Sequence, residues 1–312
     1  MPEIAESQLA PAVLMIRPAN FGPNAETAAS NAFQQPVPTE ADWQAAALRE
    51  FDSLAAALER AGVHVEVFAD TLEPVTPDAV FPNNWVSFHA DGSVYLYPLQ
   101  AQNRRWERRS DILEALRASR GYRISRIEDL SAAELDGRYL EGTGSLVLDR
   151  RARVAYACLS SRTDAGLLRR WAEGRGYEAV SFHARDSAGR LIYHTNVMLC
   201  IGDRFAVVCL ESIADAAERE RVRRRLEESR HELVSISLQQ MQDFAGNMLQ
   251  LATRGGGSVL VMSARAARAL APAQWARLSK HTTILASAVD TIEDCGGGSV
   301  RCMLAEIFLP RK

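Results

Sequence analysis

Nucleophilic catalysis is built from a group that attacks, an acid/base that moves protons and an anion that orients its partner. In this 312-residue chain a thiol, an imidazole and a carboxylate suited to those tasks are Cys302 in "GGGSVRCM", His194 in "YHTN" and Glu141 in "LEGTG". Each has a plainer reading by itself: a cysteine packed in a strand, a histidine satisfied in a core, a glutamate opening a turn. Amides accompany them, namely Asn24 in "FGPNAET", Asn84 beside Asn83 in "FPNNW", Asn196 in "YHTN" and Asn247 in "FAGN". An amide both donates and accepts hydrogen bonds, so these four are candidates for holding a polar substrate.

Other chemistries find less support. "GGGS" occurs at 255–258 and 296–299, and neither copy fits the dinucleotide fingerprint or the lysine-bearing phosphate loop. No second Cys/His pair stands at zinc spacing, so no metal and no cofactor is expected. The five cysteines are odd in number and irregularly spaced, which fits buried thiols in a reducing compartment and disfavours a Cys295–Cys302 disulfide. A net charge of -3 leaves no electrostatic footprint for nucleic acid. Arg104, Arg105, Arg108 and Arg109, and Arg221 to Arg225, lie among or near acids at helical spacing and read as solvated helix faces. The opening "MPEIAESQLAPAV" has acids where a signal peptide carries positive charge, and no apolar run is long enough to span a bilayer. A cytoplasmic protein without membrane contact is expected. With 47% hydrophobic and 24% charged residues it can bury a sizeable core.

The candidate residues are far apart in sequence, so the elements between them must bring them together. Amphipathic helices are predicted at 40–61, 104–120, 164–176, 214–229 and 264–280. Each is followed by a short strand: "VHVEVFA", "YRISRI", "YEAVSF", "HELVSI" and "HTTILASAV". Hairpin-like pairs such as "WVSFHADGSVYLYPL" and "VMLCIGDRFAVVCL" come between them, with DG and GD marking turns. Landmarks recur at Phe21, Phe81, Glu141, His194, Gly246 and Cys302, roughly fifty to sixty residues apart. The pattern is five modules of strand, strand, helix, strand in one domain spanning 1–312. The closing strand "RCMLAEIFLP" is expected to pair with "AVLMIRPA" and complete a ring with the landmarks near its axis.

The order E-G, H-x-N and a C-terminal G-G-G-x-x-x-C resembles the guanidino-group-modifying superfamily. Its fold is the pentein, an α/β-propeller of five such modules around a pseudo-fivefold axis. "MIRPANFGPNAETAASNAFQ", "FAGNMLQL" and "GGGSVRCM" look most like its citrulline-utilization hydrolase branch. The resemblance implies that Cys302 attacks the substrate carbon, that His194 protonates the departing amine and activates water, and that Glu141 positions His194. Superfamily deiminases grip the guanidinium with aspartates, and here the matching positions are Asn84 and Asn196. Neutral amides there point to a ureido substrate, with citrulline giving ornithine, ammonia and carbon dioxide as the favoured case. An arginine deiminase or N-acylarginine dihydrolase is the alternative, followed by amidinotransfer; a non-catalytic binding ring is the alternative outside enzymes. Arg17 is the first candidate for binding the amino acid's α-groups, and oligomeric state, possible homodimer included, is left open.

Overall fold

The computed structural model describes residues 6–35 and 42–311. Its strands form five three-stranded sheets. In the sheets centred on Ser93–Leu96, Val154–Cys158, Phe205–Val208 and Ser258–Ser263, the central strand pairs antiparallel with the strand before it and parallel with the strand after it. That order follows from connection length: a tight turn joins antiparallel neighbours, whereas a parallel partner needs a long crossover, here carrying the module's helix. The remaining sheet joins the two ends of the chain. Ala12–Arg17 pairs antiparallel with Ala305–Ile307, Val13 opposite Glu306, and parallel with His64–Ala69. The ring closes as the sequence period predicts.

The crossover helices seat on their sheets through periodic apolar positions. In Trp43–Arg60, Ala47, Phe51, Leu54 and Leu58 are buried, and Asp42 caps the first turn by accepting from the Ala45 N–H. Such a cap contributes about 1 kcal/mol, and each buried leucine or phenylalanine roughly 1.5–3 kcal/mol. The predicted start of this helix at Glu40 lies outside the described residues. Two predicted helices are divided. Pro272 lacks the N–H that would continue Ala264–Ala269, so a second helix runs from Pro272 to Ser279. Within 104–120 the first part is a 3-10 turn, Asn103–Glu107, and the α-helix covers only Ser110–Ala118. Arg221 to Arg225 do lie on a helix, where Arg223 pairs with Glu220 and Glu227 on its exposed face.

The segment entering the first sheet ties several modules together. Gln8 Nε2 donates to the carbonyls of Leu148 at 3.0 Å and Ile201 at 3.2 Å. Glu6 accepts from Arg150 at 3.0 Å and from the Tyr177 hydroxyl at 2.9 Å, and faces His89 Nδ1 at 3.3 Å. Among the described residues no helix is long and apolar enough to cross a membrane.

Candidate active site

Glu141, His194 and Cys302 each occupy a turn just ahead of a sheet's outer strand, at Val147–Asp149, Leu199–Ile201 and Ala305–Ile307. Glu141 precedes the short helix Gly142–Ser145, and its N–H donates to Ser145 Oγ at 3.0 Å. His194 precedes the 3-10 turn Thr195–Val197. Thr195 anchors that turn, donating to the Ser145 carbonyl at 2.6 Å and accepting from the Cys158 N–H at 2.8 Å. Cys302 follows the helix Asp290–Gly296, its N–H donating to the Ser299 carbonyl at 2.9 Å. It therefore lies in a turn and not in the closing strand, which begins at Ala305.

The glycines of "CGGGS" have a packing reason. A Cβ on Gly296 or Gly298 would come within 2.9 Å of the Phe81 ring, and Gly297, at φ +63°, ends the helix in the left-handed conformation. Gly144 has a more direct role. A Cβ there would lie 2.5 Å from Asn84 Nδ2 and 2.8 Å from His194 Nδ1, so the missing side chain lets both groups face the same space.

His194 Nε2 and Glu141 Oε2 are 2.8 Å apart, and both side chains are buried. Burial pushes the imidazole pKa down to about 4, outweighing the hydrogen bond and charge of Glu141. Burial acts on Glu141 in the opposite direction, but the charge of Arg162, the bond with His194 and the charge of Arg104 hold its carboxyl at about 2. The pair is thus a carboxylate and a neutral imidazole at pH 7. With Nε2–H donating to Glu141, the Nδ1 lone pair is left to take a proton.

His194 and Cys302 line one pocket with Asn31, Asp78, Asn84, Arg104, Arg162 and Tyr193. Arg104 is buried against Glu107 through a bidentate pair of 2.8 and 2.9 Å, and its Nη1 donates to Asn84 Oδ1 at 2.8 Å. Arg162 stacks over Tyr193 with its guanidinium carbon 4.9 Å from the ring centre, and its Nη1 lies 3.5 Å from Glu141. Asp78 Oδ2 accepts from Asn24 Nδ2 at 2.8 Å, while its buried Oδ1 has no partner among the described residues. Asn31 and Tyr193 also border a wider cleft of about 410 Å³ lined by Ser30, Gln34, Ser160 and Arg190. No cluster of metal-ligating side chains occurs among the described residues.

A sequence model of the family described as N,N dimethylarginine dimethylhydrolase, eukaryotic, matches residues 17–309. The chain belongs to this family. It is accordingly a hydrolase acting on carbon–nitrogen bonds. The solved structures it resembles include apo ArgZ, an arginine dihydrolase from the ornithine–ammonia cycle in cyanobacteria, with 16% identity and a TM-score of 0.74. That match covers 96% of this chain but 41% of ArgZ, so the chain spans about two fifths of the full-length protein. The N-terminal domain of an ArgZ variant covalently bound to a reaction intermediate matches at 16% identity and TM-score 0.73, covering 96% of this chain and 99% of that one. A dimethylarginine dimethylaminohydrolase adduct with S-methyl-L-thiocitrulline matches at 15% identity and TM-score 0.64, over 96% and 100% of the two chains. These likenesses show the pentein fold. A search of curated protein sequences gave no match.

For this family member, the structure redistributes several residues singled out in the sequence. Arg17 does not border the pocket; its half-exposed guanidinium is engaged by Asp52 through bonds of 2.8 Å from Nε and Nη2. Asn24 caps the short helix Ala25–Ala28 and supports Asp78 and does not line the pocket. Asn196 and Asn247 lie against Cys302, their Nδ2 atoms 3.4 and 3.3 Å from Sγ. Of the four asparagines, only Asn84 borders the pocket. Arg104 is not on a solvated helix face but buried in the site. Asp78, Arg104 and Arg162 were missed by the sequence reading, though a signal existed. Arg104 and Arg162 both lie between the central strand of their module and the helix that follows it, and Asp78 opens the "DAVFPNN" segment around the Phe81 landmark.

Proposed function

We propose that Cys302, His194 and Glu141 carry out the hydrolysis, through a covalent adduct on Cys302, and that the preferred substrate is the ureido amino acid citrulline, giving ornithine, ammonia and carbon dioxide. The orientation of Asn84 carries the choice of substrate. Because Arg104 donates to Asn84 Oδ1, the amide turns its N–H2 toward the space it shares with His194; one N–H donates to Asn83 Oδ1 at 3.1 Å, and the second is left for a substrate. A donor there complements the carbonyl oxygen of a ureido group, whereas a guanidinium offers only further donors. The free oxygen of Asp78 supplies the acceptor for a substrate N–H.

In this reading Cys302 Sγ attacks the ureido carbon as its proton passes to His194 Nδ1. His194 returns that proton to the departing nitrogen as the carbon–nitrogen bond breaks. Departure of the ornithine nitrogen leaves an S-carbamoyl adduct. Water adds to its carbon with His194 accepting the proton, and the carbon–sulfur bond breaks to return the Cys302 thiol. The carbamate released loses ammonia to give carbon dioxide, so that citrulline plus one water become ornithine, ammonia and carbon dioxide. Glu141 keeps the imidazole in the required tautomer and stabilises its cationic form. A cytoplasmic location and the one-domain reading of residues 1–312 belong to the same proposal.

A second reading is favoured by Asp78. A buried carboxylate at the pocket offers a cation the partner that Asn84 does not, and the arginine dihydrolase and dimethylarginine hydrolases similar in fold act on arginine or its methylated form. The deciding experiment is a substrate panel of citrulline, arginine, methylated arginines and N-acylarginines, scored by ammonia and amino acid products. A higher kcat/KM for citrulline supports the ureido reading; a tenfold preference for arginine, about 1.4 kcal/mol in transition-state binding, replaces it with the second.

A further inference from the structure

We propose that the side-chain amides of Asn247 and Asn196 form a cradle that holds the charge of the Cys302 sulfur, and that they, not His194, set how readily this thiol ionises. The inference rests on Cys302 being the nucleophile, and it assigns the two asparagines to positioning rather than to substrate binding. Asn247 is fully buried, and each end of its amide is fixed. Its Oδ1 accepts from the Arg301 N–H at 3.0 Å, and its Nδ2 donates to the Asn196 carbonyl at 3.0 Å and to Sγ at 3.3 Å. The amide cannot turn over without breaking these bonds, so a donor is permanently aimed at the sulfur. Asn196 Nδ2 adds a second at 3.4 Å. Among the described residues these two amides are the donors to Sγ.

The charged and titratable groups around Cys302 do not duplicate this role. His194 has its Nε2 on Glu141 and makes no hydrogen bond to Sγ among the described residues, and burial keeps its imidazole neutral at pH 7. Tyr193, which also faces the pocket, donates its hydroxyl to the Gly297 carbonyl at 2.6 Å. Arg104 and Arg162 border the pocket beside Asp78, but Glu107, Asp78 and Glu141 oppose their charge. Arg301, next in sequence, turns its guanidinium to Glu306. N–H donors favour the charged form of an acceptor. The amides therefore stabilise the sulfur anion, while His194 is left to carry protons.

The test needs no substrate, so it is separable from the proposed reaction. Iodoacetamide labelling of Cys302, followed by peptide mass spectrometry across pH, gives the midpoint of thiol ionisation. Wild type is compared with Asn196→Ala, Asn247→Ser and His194→Ala, each checked for its melting temperature. The two amide variants should raise the midpoint by about one pH unit or more, with His194→Ala within about 0.3 of wild type. If Asn247→Ser fails to fold, Asn196→Ala and His194→Ala carry the comparison. A midpoint raised by His194→Ala and unmoved by the folded amide variants overturns the proposal. Loss of the cradle effect with turnover still dependent on Cys302 would leave the proposed function standing, whereas turnover by Cys302→Ser would remove that function whatever the labelling shows.

Discussion

His194 and Glu141 come from turns in different modules and meet at 2.8 Å in a fully buried pair. Their environment makes one a carboxylate and the other a neutral base. Cys302→Ser and His194→Ala should each reduce turnover by several powers of ten with the fold intact, because nucleophile and proton carrier act as one unit. Glu141→Gln should cost less than His194→Ala in kcat, since it removes orientation and charge but no reacting atom. Steady-state kinetics with melting temperatures check all three, and near-native activity of Cys302→Ser would exclude a covalent cysteine mechanism.

Asn84→Asp places a carboxylate where Arg104 now fixes an amide. A charge about 4 Å from a guanidinium contributes on the order of 4 kcal/mol at an effective dielectric near 20, before desolvation. The ratio of kcat/KM for arginine to that for citrulline should rise at least tenfold. The same change at Asn196 is not an equivalent test, because that side chain contacts the sulfur of Cys302. An unchanged ratio in Asn84→Asp would remove this residue from substrate selection.

Two glycine substitutions should behave oppositely. Gly144→Ala puts a methyl 2.5 Å from Asn84 Nδ2 and 2.8 Å from His194 Nδ1, whereas Gly174→Ala, in the helix Ala165–Arg175, meets nothing within 4 Å. The first should lower kcat about a hundredfold by displacing the base and its neighbour. The second should stabilise by about 0.5–1 kcal/mol through a less flexible unfolded chain and better helix propensity. Activity and thermal melts on the pair distinguish site geometry from general glycine tolerance.

Acid should weaken the fold through its buried histidines. Burial lowers the pKa of His89 to about 4 despite its bond with Glu6, and that of His194 to about 4 despite Glu141. In the unfolded chain both titrate near 6.5, so the unfolded state binds more protons as pH falls below that value. Their stabilisation is present above pH 6.5 and is lost progressively toward pH 4, on the order of 3 kcal/mol for each. His89→Gln should flatten the fall in melting temperature between pH 7 and pH 5. An equally steep fall in the variant would locate the acid sensitivity elsewhere.

Much of the architecture was legible in the sequence. The apolar stripe Ala47, Phe51, Leu54 and Leu58 dictates which face of its helix is buried, and recurring hairpins, helices and closing strands announce the five modules and the pairing of Ala12–Arg17 with Ala305–Ile307. These are short-period or repeated patterns, and the chain's own periodicity carries them. The coincidence of Glu141, His194 and Cys302 at repeat-equivalent turns belongs to the same class of information.

What each polar residue does was decided only in three dimensions. Arg104 stands ahead of charged neighbours, and together they read as a solvated helix face, yet the 3-10 turn at Asn103–Glu107 buries it against Asn84 and Glu107. Arg17 looks equally suited to a substrate carboxylate, but Asp52 engages it outside the pocket. Asn84 and Asn196 are the same residue type in similar turns. One borders the pocket, and the other lies against the sulfur of Cys302. A polar side chain's role depends on which partner satisfies it, and those partners come from segments far away in sequence. Local pattern could therefore specify the ring and the meeting of the turns. The direction of each hydrogen bond followed from how the modules packed around them.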